Sequence, residues 1–224
     1  MAAIFVTGTG TEVGKTFVTA ALIRHFRAAG RAVEAIKPVV SGFDPAALPA
    51  SDPGVLLAAL ARPITIEEIE RIAPWRFAAP LSPDLAAARE GRTINLDELL
   101  DFSWRAASTR NILLIEGIGG IMVPLDAKHT VLDWMKALRI PVLVVAGSYL
   151  GTISHTLTAL HVLAQRNLDI AGVVVSESAV GGASLDDTVV SIARFAQSID
   201  VIGVPRFTQD AELHPAFGRI AKLI

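Results

Sequence analysis

Two lysines, a threonine and two acids are spaced along this chain as a phosphate-handling site would need them. Lys15 and Thr16 close the glycine-rich run Gly8-Thr9-Gly10-Thr11-Glu12-Val13-Gly14. A lysine there reaches the β- and γ-phosphates of a nucleotide, a threonine hydroxyl after it ligates Mg²⁺, and backbone N–H groups of the turn cradle the anion. The spelling is unusual. The common pattern G-x-x-x-x-G-K-[ST] would put its first glycine on Thr9, and glycines stand on either side of that slot. Glu116 follows an apolar run in "LLIEG" (113–117), the place for an acid that holds Mg²⁺, directly or through water. Its plain alternative is a strand-ending glutamate in solvent. Lys37, held on a stiff turn by Pro38, could stabilise a transferring γ-phosphoryl, although a lone strand-end lysine also reads as a solvated side chain. Asp52, in "SDPG", reads first as a helix cap with Pro53 at N1 and second as a magnesium ligand.

These residues need a frame that brings them to one edge. Apolar, β-branched runs at 3–8, 32–37, 111–117, 141–147, 170–176 and 201–205 predict strands buried on both faces. Between them, helical spacing covers 15–30, 95–108, 130–138, 154–166 and 184–198. Gly30 is placed to end the first helix, and Asn95 to cap the second, with Leu96, Leu99, Leu100 and Trp104 on one stripe. Alternating strands and helices predict an α/β, doubly wound, mostly parallel sheet with helices on both faces, of the P-loop NTPase-like kind. The interval 42–95 carries seven of the twelve prolines and reads as short helices and loops over the sheet edge. One domain spanning residues 1–224 is expected.

Composition narrows the partners. The 224 residues are 52% hydrophobic, carry a net charge of −2 and contain no cysteine. Thiolate metal sites, disulfides and cysteine nucleophiles are excluded, and no broad positive field favours nucleic acid or anionic membrane. The start "MAAIFVTGTG" lacks a basic region, and no apolar stretch is long enough for a membrane span, so a cytoplasmic protein is expected. The five histidines have no metal-ligand spacing, and Trp75, Trp104 and Trp134 read as core or interface fillers.

Taken in order, "VTGTGTEVGKT" (6–16), "KPVVSG" (37–42), "SD" (51–52), "AAPLSP" (78–83), "EGRTI" (90–94), "IEGIGGIMVPL" (115–125) and "IPVLVVAGSYLGTISHTLTAL" (140–160) resemble the dethiobiotin synthetase family. The resemblance covers most of the chain and accounts for the longer loop. It implies an ATP- and Mg²⁺-dependent cyclo-ligase of biotin biosynthesis that joins CO₂ to the two amines of 7,8-diaminopelargonic acid. It assigns the metal to Thr16, Asp52 and Glu116, and catalytic or phosphate and carbamate roles to Lys15, Lys37 and Thr11. Nucleotide contacts fall on Gly10, Thr11, Glu12, Val13, Gly14, Lys15, Thr16, Phe17, Glu116, Gly119, Ser176 and Pro205. Substrate contacts fall on Thr11, Lys37, Ser41, Leu150 and Gly151, the last two reaching across a homodimer whose interface holds the active site.

The chain departs from the family's pattern at Ser176, where an asparagine commonly reads adenine. A hydroxyl lacks the amide's paired donor and acceptor, so CTP stands beside ATP as a candidate co-substrate. Ser154 and Gly10 are further departures. Replacing Lys37 by alanine is expected to remove turnover and leave the fold intact. The competing reading is a P-loop ATPase switch of the partition and division-site type. Such switches usually carry a second lysine early in the loop, where this chain has Thr9 and Gly10.

Overall fold

The computed structural model describes residues 3–107, 111–179, 182–206 and 214–224. Its strands are β1 (Ala3–Gly8), β2 (Val33–Ile36), β3 (Val39–Ser41), β4 (Trp75–Phe77), β5 (Ile112–Gly120), β6 (Val142–Gly147), β7 (Ile170–Ser176) and β8 (Val201–Val204). Its α-helices are α1 (Lys15–Ala28), α2 (Asp52–Ala59), α3 (Ile66–Ile72), α4 (Pro83–Arg89), α5 (Leu96–Ala107), α6 (Val131–Leu138), α7 (Thr152–Gln165), α8 (Leu185–Phe195) and α9 (Pro215–Ile220).

Six strands form one sheet in the order β2-β5-β1-β6-β7-β8, every pairing parallel. The near-continuous apolar runs are buried as expected: all six residues of β6 and the last five of β7 are inside. Helices flank the sheet, α1 against β1 and β5 with α2 and α9 beside it, and α5 with α6 against β5. Trp134 lies edge-on to Phe5 at 4.7 Å in this core and is fully buried. Among the described residues no helix is long and apolar enough to cross a membrane.

Three local expectations change. The interval 42–95 contains a strand, β4, which pairs in parallel with β3 as a separate small sheet. β5 continues beyond Gly117 to Gly120, and its pairing with β1 slips. Val6 faces Glu116 and Gly8 faces Gly120, so β5 uses four residue steps (116 to 120) where β1 takes two (6 to 8). On α5, the Asn95 carboxamide caps as predicted, accepting from Asp97 N–H at 2.8 Å. The inward line on that helix is Leu99, Ser103 and Ala107, one turn apart each, whereas Trp104 is exposed. Ser103 is admitted to the core because its hydroxyl donates to the Leu99 carbonyl at 2.7 Å and accepts from Trp134 Nε1 at 3.2 Å.

Candidate active site

The glycine-rich run forms the turn from β1 into α1, and its backbone leaves the ordinary regions to do so. Gly14, the N-cap of α1, has a φ of 96°, and Glu12, with a side chain, has a φ of 58°. Gly14 is constrained twice, since a Cβ there would lie 2.6 Å from Ser176 Oγ. Among the described residues no side chain caps α1, whose first turn carries the partial positive charge of the helix end. Lys15 turns back over its own loop, Nζ donating to the Gly10 carbonyl at 2.9 Å. Burial first, and then the neighbouring Lys37 ammonium, lower its pKa from 10.5 to about 8.

Lys37 is the hub of the charged cluster. It stands between β2 and β3, and its backbone N–H donates to the Ile72 carbonyl at 3.0 Å. The side chain is fully inside, and Nζ donates to Glu116 Oε1 at 2.8 Å and to the Gly117 carbonyl at 3.1 Å. Asp52 Oδ2 lies 3.2 Å from the same nitrogen. Burial alone would push this ammonium down; Glu116 and Asp52 outweigh it and raise its pKa above the usual lysine value. Asp52 responds in the opposite direction. Partial burial opposes its charge, but Lys37 and then Thr16 hold its carboxyl below the usual range.

Glu116 is wholly buried, not a solvated strand end. Its Oε1 also accepts from Thr16 Oγ1 at 2.6 Å, while its Oε2 has no hydrogen-bond partner among the described residues. An unpartnered buried carboxylate oxygen is costly unless something charged or hydrogen-bonding reaches it. With the Thr16 hydroxyl and the Asp52 carboxylate nearby, the donors are all hard oxygens, a set suited to Mg²⁺. The cap of α2 differs from expectation. Ser51 is the N-cap, its Oγ accepting from Gly54 N–H at 3.2 Å and donating to the Leu48 carbonyl at 2.6 Å. Asp52 is therefore the first helical residue, Pro53 the second, and the Asp52 carboxylate is left to face Lys37.

Two clefts meet at the loop. The first, of about 700 Å³, is lined by Thr11, Glu12, Gly14, Lys15, Thr16, Phe17, Lys37, Ser41, Asp52 and Gly119, together with Pro80 to Pro83. Ser41 Oγ is buried there and unpartnered among the described residues. The second, of about 510 Å³, is lined by Glu12, Val13, Gly14, Phe17, Ser176, Glu177, Ser178, Ala179 and Arg206. Glu116 lines neither but reaches the first through Thr16 and Lys37. Gly10 and Pro205 line neither, and the same holds for Leu150 and Gly151, in the loop before α7, where Leu150 is 89% exposed. Sequence reasoning missed Pro80 to Pro83, Glu177, Ser178 and Arg206 as cleft residues. The signals were slight: the "AAPLSP" stretch for the first group, and position just past β7 and β8 for the others.

Comparison with known proteins agrees with this geometry. A family model described as an AAA domain matches residues 2–208. A protein from Methylobacterium nodulans named ATP-dependent dethiobiotin synthetase BioD is 50% identical over 202 residues, covering 88% of this chain and 90% of its own. Its namesake from Phenylobacterium zucineum is 49% identical over 209 residues, covering 92% and 89%. Among solved structures, the septum site-determining protein MinD complexed with Mg-ADP, from Pyrococcus horikoshii, superposes with a TM-score of 0.54 at 13% identity, covering 99% of this chain and 93% of that one. That likeness speaks for the fold only, whereas shared sequence at this level over nearly the whole chain speaks for kinship. The chain belongs to the ATP-dependent dethiobiotin synthetase family of ligases.

Proposed function

We propose that the chain, acting as one domain in the cytoplasm, converts 7,8-diaminopelargonic acid, CO₂ and a nucleoside triphosphate into dethiobiotin, nucleoside diphosphate and phosphate. The observation that carries this reading is the cluster of buried Lys15, Lys37 and Glu116 with Thr16 and the half-exposed Asp52, beside a cleft of about 700 Å³. A carbamate and a γ-phosphate are both anionic, and bringing them together demands fixed positive charge in a site shielded from water.

One amine of the substrate adds to CO₂ and loses a proton, giving a carbamate. A carbamate oxygen then attacks the γ-phosphorus as the bond to the β-phosphate oxygen breaks. The second amine attacks the carbonyl carbon of the resulting mixed anhydride, phosphate leaves, and proton loss completes the cyclic urea. Lys15 leaves the Gly10 carbonyl to hold the β- and γ-phosphates, and the loop amides hold the rest. Lys37 faces the carbamate and the transferring phosphoryl. The hydroxyls of Ser41 and Thr11 take the amines, an assignment supported by the unpartnered, buried Ser41 oxygen. Thr16, Asp52 and Glu116 would hold Mg²⁺, which neutralises phosphate charge when bound. The exposed Leu150–Gly151 segment serves the cleft of a second copy in a homodimer, where the uncapped start of α7 offers its N–H groups to the substrate's distal carboxylate. At the other end, Ser176 selects the base loosely, so CTP is accepted beside ATP.

The test is phosphate release with Mg²⁺ and bicarbonate, with and without the diamine, using ATP or CTP. Release that requires the diamine and accompanies dethiobiotin supports the reading. Release indifferent to the diamine overturns it in favour of a nucleotide switch.

A further inference from the structure

Ser178 faces two ways. It lines the cleft of about 510 Å³ beside the phosphate loop, and its Oγ accepts from the backbone N–H of Ser148 at 2.9 Å. In return, the N–H of Ser178 donates to Ser148 Oγ at 3.0 Å. Gly147 opposite Ser176 is the last rung of the β6–β7 pairing, so the two serines continue the connection with side chains where the ladder stops. Ser148 is only 2% exposed, which shields the exchange from water. Gly147 makes room for it, since a Cβ there would lie 2.6 Å from Ser178 Oγ. A second approach joins the same loops, where a Cβ on Gly182 would lie 2.9 Å from Leu150 N. Thr152 Oγ1 returns to the Gly147 carbonyl at 2.7 Å. The segment 149–151 is thus fixed at its root and open at its tip.

We propose that the Ser148–Ser178 pair couples occupancy of the nucleoside cleft to the position of the 149–151 segment. A base seated against Ser176 and Ser178 fixes the Ser178 side chain, and Ser178 fixes the root of the loop that carries Leu150 and Gly151. Ser178 is a positioning residue in this scheme, acting through Ser148. The inference deepens the proposed function and rests on its reading that a nucleotide occupies this cleft. Coupling of this kind is reciprocal, so whatever immobilises the segment tightens the nucleotide by the same factor.

Hydrogen exchange on the full chain, with and without Mg-ATP and with no diamine present, tests this. In the wild type the nucleotide slows exchange in peptides covering 8–16 and, by about fivefold or more, in those covering 147–152. In S178A the slowing at 8–16 persists while that at 147–152 is lost; in S148A, which keeps the backbone N–H bond to Ser178 Oγ, the slowing at 147–152 is reduced. A purely structural role would raise exchange at 147–152 by the same factor with and without nucleotide, leaving the ratio unchanged, and would overturn the proposal. So would a wild-type chain protected at 8–16 but not at 147–152. Absence of protection at 8–16 would remove the nucleotide from the site, and the coupling with it. Unchanged exchange across 142–146 verifies that the variants keep β6 paired.

Discussion

The two clefts that share Gly14 are built differently. On the phosphate side, the buried charges are tied in: Lys37 pairs with Glu116 and Asp52, Thr16 donates to Glu116, and Lys15 donates to the Gly10 carbonyl. Much of that network is buried, where charge is expensive to leave unpaired and effective when paired. On the side proposed for the base, Ser176 and Ser178 stand in a wall shared with Val13, Phe17 and Ala179, and the charged residues lie toward solvent, Glu177 accepting from the backbone N–H of Arg206 at 2.9 Å. One side prescribes the chemistry of its ligand. The other offers small hydroxyls that many bases can satisfy. On the proposed function, reaction type therefore belongs to the first cleft and nucleotide choice to the second.

The sharpest way to break this contrast is at Lys37. Lys37→Met is expected to lower turnover by about 10²–10³-fold, read by phosphate release. It should also destabilise the fold by about 3–5 kcal/mol in denaturant, because the fully buried Glu116 loses its partner. The expectation of an untouched fold is thus revised. Adding Glu116→Gln should recover most of that stability and none of the turnover. Wild-type stability in the single variant would mean that the network is not interlocked.

Gly14→Ala strikes the wall between the clefts. A side chain at a φ of 96°, colliding 2.6 Å from Ser176 Oγ, should cost more than about 1 kcal/mol and weaken nucleotide binding. Ser176→Ala in that background should relieve the collision but not the backbone strain. Full recovery of affinity in the double variant would show that strain is unimportant.

A pH series separates the phosphate side alone. The free Lys15 loses its proton as pH rises through about 8, and phosphates restore it. Nucleotide affinity should therefore fall by up to about tenfold per pH unit above that value, with proton uptake visible by calorimetry in buffers of different ionisation enthalpy. The free fold behaves oppositely. Between about 8 and 10.5 the unfolded lysine binds the proton and the folded one does not, so this group's contribution to stability grows as pH rises. An affinity flat across the window would remove Lys15 from phosphate binding. The smallest effect is at the base: Ser176→Asn should raise the ATP-over-CTP preference by about fivefold, the worth of one added hydrogen bond. An unchanged ratio would place base reading elsewhere in the cleft.

Much of the phosphate side was legible because its signals are local. A strand, a glycine turn and Lys-Thr opening a helix are contiguous, and Glu116 and Lys37 each end an apolar run that had to be a strand. The extension of β5 was hidden because "GIGG" looks like a loop, and only pairing with β1 makes it strand. β4 is three residues, Trp75 to Phe77, and its partner β3 is distant in sequence. Capping by Ser51 rather than Asp52 is a choice between adjacent good caps that propensity does not decide. Glu177, Ser178 and Arg206 come from ends of different strands, so their meeting depends on tertiary folding. Trp104 misled because helical spacing marks a stripe but not its width.

The strand order β2-β5-β1 also bears on how the protein emerges from a ribosome. Neither β1 nor β2 has a main-sheet neighbour until β5 is made, and β1 also waits for β6. The glycine turn and Lys15 leave the tunnel early, while Glu116 follows on the order of ten seconds later. During that interval only β3 and β4 can pair among the strands already translated. A nascent chain shorter than β5 is expected to carry the phosphate-loop sequence and yet bind no nucleotide, leaving its apolar strands to be shielded by chaperones.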